Sequence, residues 1–109
     1  MARTSRKKVL EKVAQFWSDA DAAEIMDVLD GCGRRARIQL AVLKLCEGDR
    51  EQLPRLVEMA NRDWRDAIAY AEYPEEMRTG FVGMRDLSRN EQEALRKRDR
   101  RQYLEWLGG

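Results

Sequence analysis

The sequence predicts an all-α protein on three observations. Apolar residues recur every three or four positions through most of the chain, helix-capping residues stand ahead of those stretches, and nothing reads as a strand pair. In the first stretch Val9, Val13, Phe16 and Trp17, with Leu10 alongside, predict a helix over residues 5–17, with Thr4 as candidate cap. Ser18 followed three residues later by Asp21 has the form of an N-terminal cap. Ala22, Ile25, Met26 and Leu29 then share a face until Gly31 and Gly33 end the pattern. A third helix is expected from Arg34 to Cys46, with Ile38, Ala41, Val42 and Leu45 on one side and Leu40 and Leu43 nearly opposite. A helix apolar on both sides is central or at an interface. Gly48 and Asp49 read as a stop and a cap, and a turn over 49–52 leads to a long helix from near Pro54. Leu53, Val57, Ala60, Trp64, Ala67, Ile68 and Ala71 form its stripe, and Pro74, which holds Tyr73 away from helical geometry, ends it. A loop carrying Gly80 and Gly83 follows, with Phe81, Val82 and Met84 available to pack. Ser88 and Glu91 form a capping box that opens a last helix reaching Leu107.

The expected architecture is a compact four-helix bundle-like core over residues 1–87. A charged fifth helix over 88–109 either belongs to the same domain or projects as an oligomerisation arm. Core positions are Val9, Val13, Phe16, Ile25, Leu29, Ile38, Val42, Leu45, Leu53, Val57, Trp64 and Ile68. At 109 residues the chain is one domain's length, and no stretch repeats at a fixed period. Hydrophobic residues at 43% and charged residues at 38% suit a water-soluble chain that folds, and no apolar run is long enough for a bilayer helix. The start, MARTSRKKVLEKV, returns to charge before any signal-peptide apolar run, so a cytoplasmic protein is expected.

A net charge of +1 removes the simplest electrostatic case for a nucleic-acid or acidic-membrane partner. The lack of histidine excludes Ser-His and Cys-His nucleophile pairs, histidine bases and histidine-containing zinc sites. Charge is instead distributed in blocks: net +4 over residues 1–17, −5 over 18–30, +4 over 31–46, −5 over 47–76 and +3 over 77–109. Alternation of this kind favours complementary packing within or between chains over a single basic groove.

Cys32 and Cys46 lie 14 positions apart and outside any C-x-x-C pair, so both are expected as reduced thiols, Cys46 half-buried and Cys32 exposed between glycines. Asp63 and Asp66, with Glu47 and Glu51, have the spacing of carboxylates that hold a hard cation such as Mg²⁺ in an all-α hydrolase. Glu51 with Arg55 and Glu58 with Arg62 are also at ion-pair spacing, and Arg62 and Arg65 flank the aspartates. The expectation is therefore structural: Asp63 at the edge of the apolar stripe, paired with arginine or a tyrosine hydroxyl, with no metal and no cofactor. In the last helix Arg96, Lys97, Arg98, Arg100 and Arg101, broken only by Asp99, precede Tyr103, Leu104, Trp106 and Leu107. Such a stretch reads as a basic arm for phosphates, a projecting helix with an aromatic tip, or a solvated helix with a docked end. Gly108 and Gly109 follow the helix directly and serve as its stop rather than as a carrier's diglycine tail.

The run from Arg37 to Leu45, with Glu47-Gly48-Asp49, Asp63-Trp64-Arg65-Asp66 and the box Ala71-Glu72-Tyr73-Pro74, resembles a group of short bacterial all-helical proteins with no known activity. The resemblance covers about residues 36–76 and implies a bacterial cytosolic all-helical protein, with no ligand or catalytic residue to carry over. Where that group is more acidic ahead of the third helix, this chain has Arg34, Arg35 and Arg37.

The function expected from these features is a non-catalytic protein–protein interaction module that self-associates, most simply as a homodimer, or docks on a partner protein. Its interface would use Leu40, Leu43, Arg96, Arg100, Tyr103, Trp106 and Leu107, with the last-helix arginines reaching Glu72, Glu75 and Glu76 of the neighbour. The alternative is a nucleic-acid binder using Arg34, Arg35 and Arg37 with Arg96 to Arg101; a carboxylate-dependent Mg²⁺ hydrolase comes third.

Overall fold

The computed structural model describes residues 5–108. Among them are seven α-helices, one 3₁₀ turn and no strand: α1 Arg6–Phe16, α2 Asp19–Asp30, α3 Ala36–Cys46, the turn Arg50–Gln52, α4 Leu53–Arg62, α5 Trp64–Glu72, α6 Pro74–Asp86 and α7 Arg89–Gly108. The all-α expectation holds. No helix among the described residues is long and apolar enough to cross a membrane.

The starts follow capping chemistry. Ser5 accepts the N–H of Lys8 and caps α1, while the Thr4 assignment falls outside the described residues. Ser18 occupies the cap position of α2, but its hydroxyl bonds the Asp21 carboxylate at 3.3 Å rather than a backbone amide. Asp49 caps the 3₁₀ turn, and Ser88 and Glu91 exchange two bonds of 3.1 Å in the capping box ahead of α7. The bonds from Ser5, Asp49 and Ser88 each satisfy an amide that the first helical turn leaves without an intrahelical partner.

Two elements depart from the sequence expectation. The long fourth helix is two, because Asp63 leaves helical geometry (φ −154°, ψ 98°) and its carboxylate accepts the N–H of Arg65 at 3.0 Å to cap α5. A short carboxylate competes with the i−4 carbonyl for a nearby amide and so breaks the stripe. The segment expected as a loop is α6, with Pro74 in its first turn and Glu75 and Glu76 beside it, an arrangement that suits a helix start. Gly80 (φ 76°, ψ 171°) leaves helical geometry and divides α6 into two helical halves joined at a kink.

Helix α3 touches α1, α2, α4 and α5, which makes it the centre of the molecule. Leu40 and Leu43 are both fully buried in the chain's own core, as are Ala41 and Val42. This corrects their assignment to an interface: α3 is apolar on both sides because helices pack around it. Of the twelve expected core positions, Phe16 and Trp64 are more than a third exposed and Leu45 is half-buried; the other nine are buried. Phe16 is the last residue of α1, where it meets Trp17 edge-on, and Trp64 is the first of α5, with arginines on its ring.

Helix α7 does not project as an arm. Its middle packs on α6 through Leu95 and Asp99, and Tyr103 and Leu107 at its end join the core formed by α1 to α5. Lys12 of α1, itself buried, donates to the carbonyl of Trp106 and to Gln15, with its ammonium 4.5 Å from the centre of the Trp106 ring. Tyr103 and Leu107 of the apolar tip are thus covered within the chain and Trp106 is half-buried, while Leu104 stays exposed. Residues 88–108 share one core with the preceding bundle.

Candidate functional site

The most developed surface lies where α5, α6 and α7 meet, and the Ala71-Glu72-Tyr73-Pro74 box sets it in place. Tyr73 offers no side-chain cap to α6, so the first amides of that helix need acceptors from elsewhere. Asp99 supplies them: its two carboxylate oxygens accept the N–H groups of Glu75 at 2.9 Å and Glu76 at 3.0 Å. A buried carboxylate at a helix N-terminus gains both from the amides and from the helix dipole. Gln102, one turn further along α7, donates to the carbonyls of Ala71, Glu72 and Asp99 and so closes the end of α5. Glu72 receives Nε and Nη2 of Arg37 at 2.8 Å each, tying the same point to α3. The Tyr103 hydroxyl is buried nearby with no hydrogen-bond partner, and burial, with the charge of Glu72, pushes it above the usual phenol range.

Beyond this junction α6 bends at Gly80, a backbone region that only glycine adopts readily. Thr79 secures the first half by donating to the Glu75 carbonyl, and Gln92 of α7 secures the second by donating to the carbonyls of Met84 and Leu87. The bend leaves a groove of about 580 Å³ against α5 and α7. Tyr73, Met77, Phe81 and Met84 form its apolar wall with Ala69, while Arg85, Gln92, Arg96 and Glu76 supply the polar lining. Phe81 is 82% exposed and Val82 beside it 58%. An exposed phenylalanine next to an apolar groove is the kind of surface that marks an interaction site.

A second, smaller surface surrounds Trp64. The guanidinium groups of Arg35 and Arg65 lie 5.5 Å and 5.4 Å from its ring centre, and a cavity of about 270 Å³ opens between Trp64, Arg35, Arg37, Ile38 and Ile68. Arg37 is already committed to Glu72.

The residues expected at an interface are scattered. Leu40 and Leu43 lie in the core, Tyr103 and Leu107 in its extension, and Trp106 half-buried over Lys12. Arg100 is exposed on α7, and Arg96 alone of the seven lines the groove. The acidic residues assigned to a neighbour are engaged within the chain: Glu72 by Arg37, Glu75 by Arg78, and Glu76 by Arg96 at 3.6 Å. Asp63 is an exposed cap rather than a half-buried partner of arginine or tyrosine, and Asp66 is exposed in the same first turn. Among the described residues no three Asp, Glu or Cys side chains come together in a way that would hold a metal ion. Cys32, expected to be exposed, is buried like Cys46. Each donates its S–H to a carbonyl one turn back, of Leu29 and of Leu43, and burial pushes both thiols up.

From sequence, Phe81 and Met84 are expected in a loop, Tyr73 marks the end of the long helix, and Met77 carries no signal. Met77 lies ahead of the kink at Gly80 and Phe81 and Met84 beyond it, so helical periodicity alone does not bring them to one wall; the kink does. No protein family, curated protein or solved structure matches this chain.

Proposed function

We propose that this chain is a non-catalytic protein–protein interaction module of the cytoplasm that takes a helical segment of a partner protein into the groove between α5, α6 and α7. The observation that carries this reading is Phe81, 82% exposed at the lip of a groove walled by Tyr73, Met77 and Met84. Such a groove suits the apolar face of an amphipathic helix, and methionines adapt their shape to what they meet. The two free thiols fit a reducing compartment. Leu40 and Leu43 of α3 and Tyr103 and Leu107 of α7, expected at a homodimer seam, are buried within the chain, so a foreign partner is the better-supported occupant. The test is a display selection of helical peptides about 15 residues long, enough for four turns. Peptides should be enriched whose binding is lost in Phe81→Asp, an exposed position where folding survives. Enrichment indifferent to Phe81 defeats the reading.

A nucleic-acid reading has one observation in its favour, the Trp64 ring between Arg35 and Arg65, since bases stack on exposed aromatics beside arginine. Generic single-stranded DNA or RNA titrated across a salt series checks it. Phosphate binding weakens steeply with salt and would fall in Trp64→Ala.

A further inference from the structure

We infer that the partner segment is an acidic amphipathic helix, one whose apolar stripe is flanked by aspartate and glutamate. This rests on the docking reading above and specifies the occupant of the same groove. The groove has an apolar floor but an unequal rim. Arg85 of α6 and Arg96 of α7 both line it, and the one carboxylate in the lining, Glu76, is engaged by Arg96. Arg85 forms no ion pair among the described residues, and neither do Arg89 and Arg100, exposed on the helix that carries Arg96. A partner helix of roughly three turns, about 16 Å, would present one apolar face to this wall. Its residues at i, i+3 or i+4 and i+7 would meet Met77, Phe81 and Met84, and the positions beside that stripe would face the two arginines. A carboxylate there gives Arg85 the ion pair that the chain itself leaves open and adds to the one Arg96 shares with Glu76, whereas lysines there would face like charge.

The same charges argue against a second copy as occupant. Two-fold pairing of this face brings Arg85 and Arg96 of both chains into one seam with only the engaged Glu76 to offset them. The chain's most acidic helix, α2, has Ile25, Met26 and Leu29 buried in its own core and cannot offer them to a neighbour's groove.

The peptide selection is run in parallel on the wild-type chain and on the double variant Arg85→Glu/Arg96→Glu. Phe81-dependent peptides from the wild type should share an apolar stripe and carry a surplus of aspartate and glutamate beside it. On the double variant the surplus should invert to lysine and arginine, and an acidic wild-type peptide should bind about tenfold more weakly or worse, with the difference shrinking at high salt. Peptides that depend on Phe81 but carry no charge bias, or the same bias on both proteins, overturn this inference and leave the docking reading standing. Absence of any Phe81-dependent peptide defeats both. A solution mass of twice 12.8 kDa that Phe81→Asp halves assigns the groove to a second copy and overturns the acidic-helix inference.

Discussion

Asp99 holds the backbone amide of Glu75 at 2.9 Å, so a residue on the last helix caps the helix before it. The single acidic interruption of the run Arg96 to Arg101 is the one position of that run with no exposed surface. It sets α6 against α7 and thereby shapes the groove. Asp99→Ala should lower stability by about 2 kcal/mol, the upper range for loss of a helix cap, because two half-buried amides lose their acceptor. Asp99→Asn, which keeps one acceptor oxygen, should lose less. Urea unfolding of both variants measures the difference; an Asp99→Ala chain as stable as wild type would rule out the capping role.

Tyr103 presents the opposite case, a buried hydroxyl with no partner. Tyr103→Phe keeps the ring in the core and removes the unsatisfied group, so at neutral pH it should be neutral or stabilise by about 1 kcal/mol. The pH dependence has a definite sign. The folded state raises the pKa of Tyr103 above its ordinary value near 10, so above that pH the unfolded chain releases a proton that the folded chain retains. Stability therefore falls as pH rises past about 10, and in Tyr103→Phe this part of the loss is absent. Thermal unfolding between pH 8 and 11 compares the two chains.

Lys12 contributes a limb of the other sign. Burial lowers its pKa below the ordinary lysine value of 10.5, so in the window just under that value the unfolded chain binds more protons than the folded one. Stability from this group rises with pH through the window and levels off above the unfolded pKa. In Lys12→Met the rise should vanish. If wild type and Lys12→Met show parallel pH profiles from 8 to 10, Lys12 is not buried as a cation beneath Trp106.

Much of the fold was readable because local signals agreed with one another. Ser88 with Glu91, the stripe through Ile25 and Leu29, and Pro74 after Tyr73 each express chemistry that acts within one or two turns. What stayed hidden depends on neighbours distant in sequence. The apolar sides of α3 look the same whether other helices or a second chain cover them, so Leu40 and Leu43 fitted an interface as well as a centre. Asp99 reads as one more charge in a solvated run until α6 is laid beside it, 24 residues away. Arg37 and Glu72, 35 residues apart, give no sequence sign that they will meet. Asp63 is different: an aspartate followed three residues later by Asp66 is itself a cap signature, outweighed here by an apolar stripe that runs on through both helices. The groove was missed for a local reason, since Gly80 and Gly83 suggest a loop while the bend needs only the first of them.

The bend at Gly80 is the last link between sequence and groove. With φ at 76° and ψ at 171°, any side chain there adopts a conformation that L-residues avoid, although an added Cβ would meet nothing within 4 Å. The cost of Gly80→Ala is therefore backbone strain rather than a clash, about 1–3 kcal/mol if the bend persists. The chain has a second outcome open to it, because alanine favours a straight helix and α6 can relieve the strain by straightening. Straightening moves Phe81 and Met84 relative to Met77 and Tyr73 and dismantles the apolar wall. Gly83→Ala provides the comparison: it lies in the second half of the same helix and has no positive φ, and its Cβ would come within 2.9 Å of the Thr79 methyl, so the Thr79 side chain must shift to admit it. Gly80→Ala should thus weaken Phe81-dependent peptide binding about tenfold or more while far-UV circular dichroism shows helix content retained or increased. Gly83→Ala should alter binding far less. Equal binding by wild type and Gly80→Ala would show that the groove does not depend on the bend.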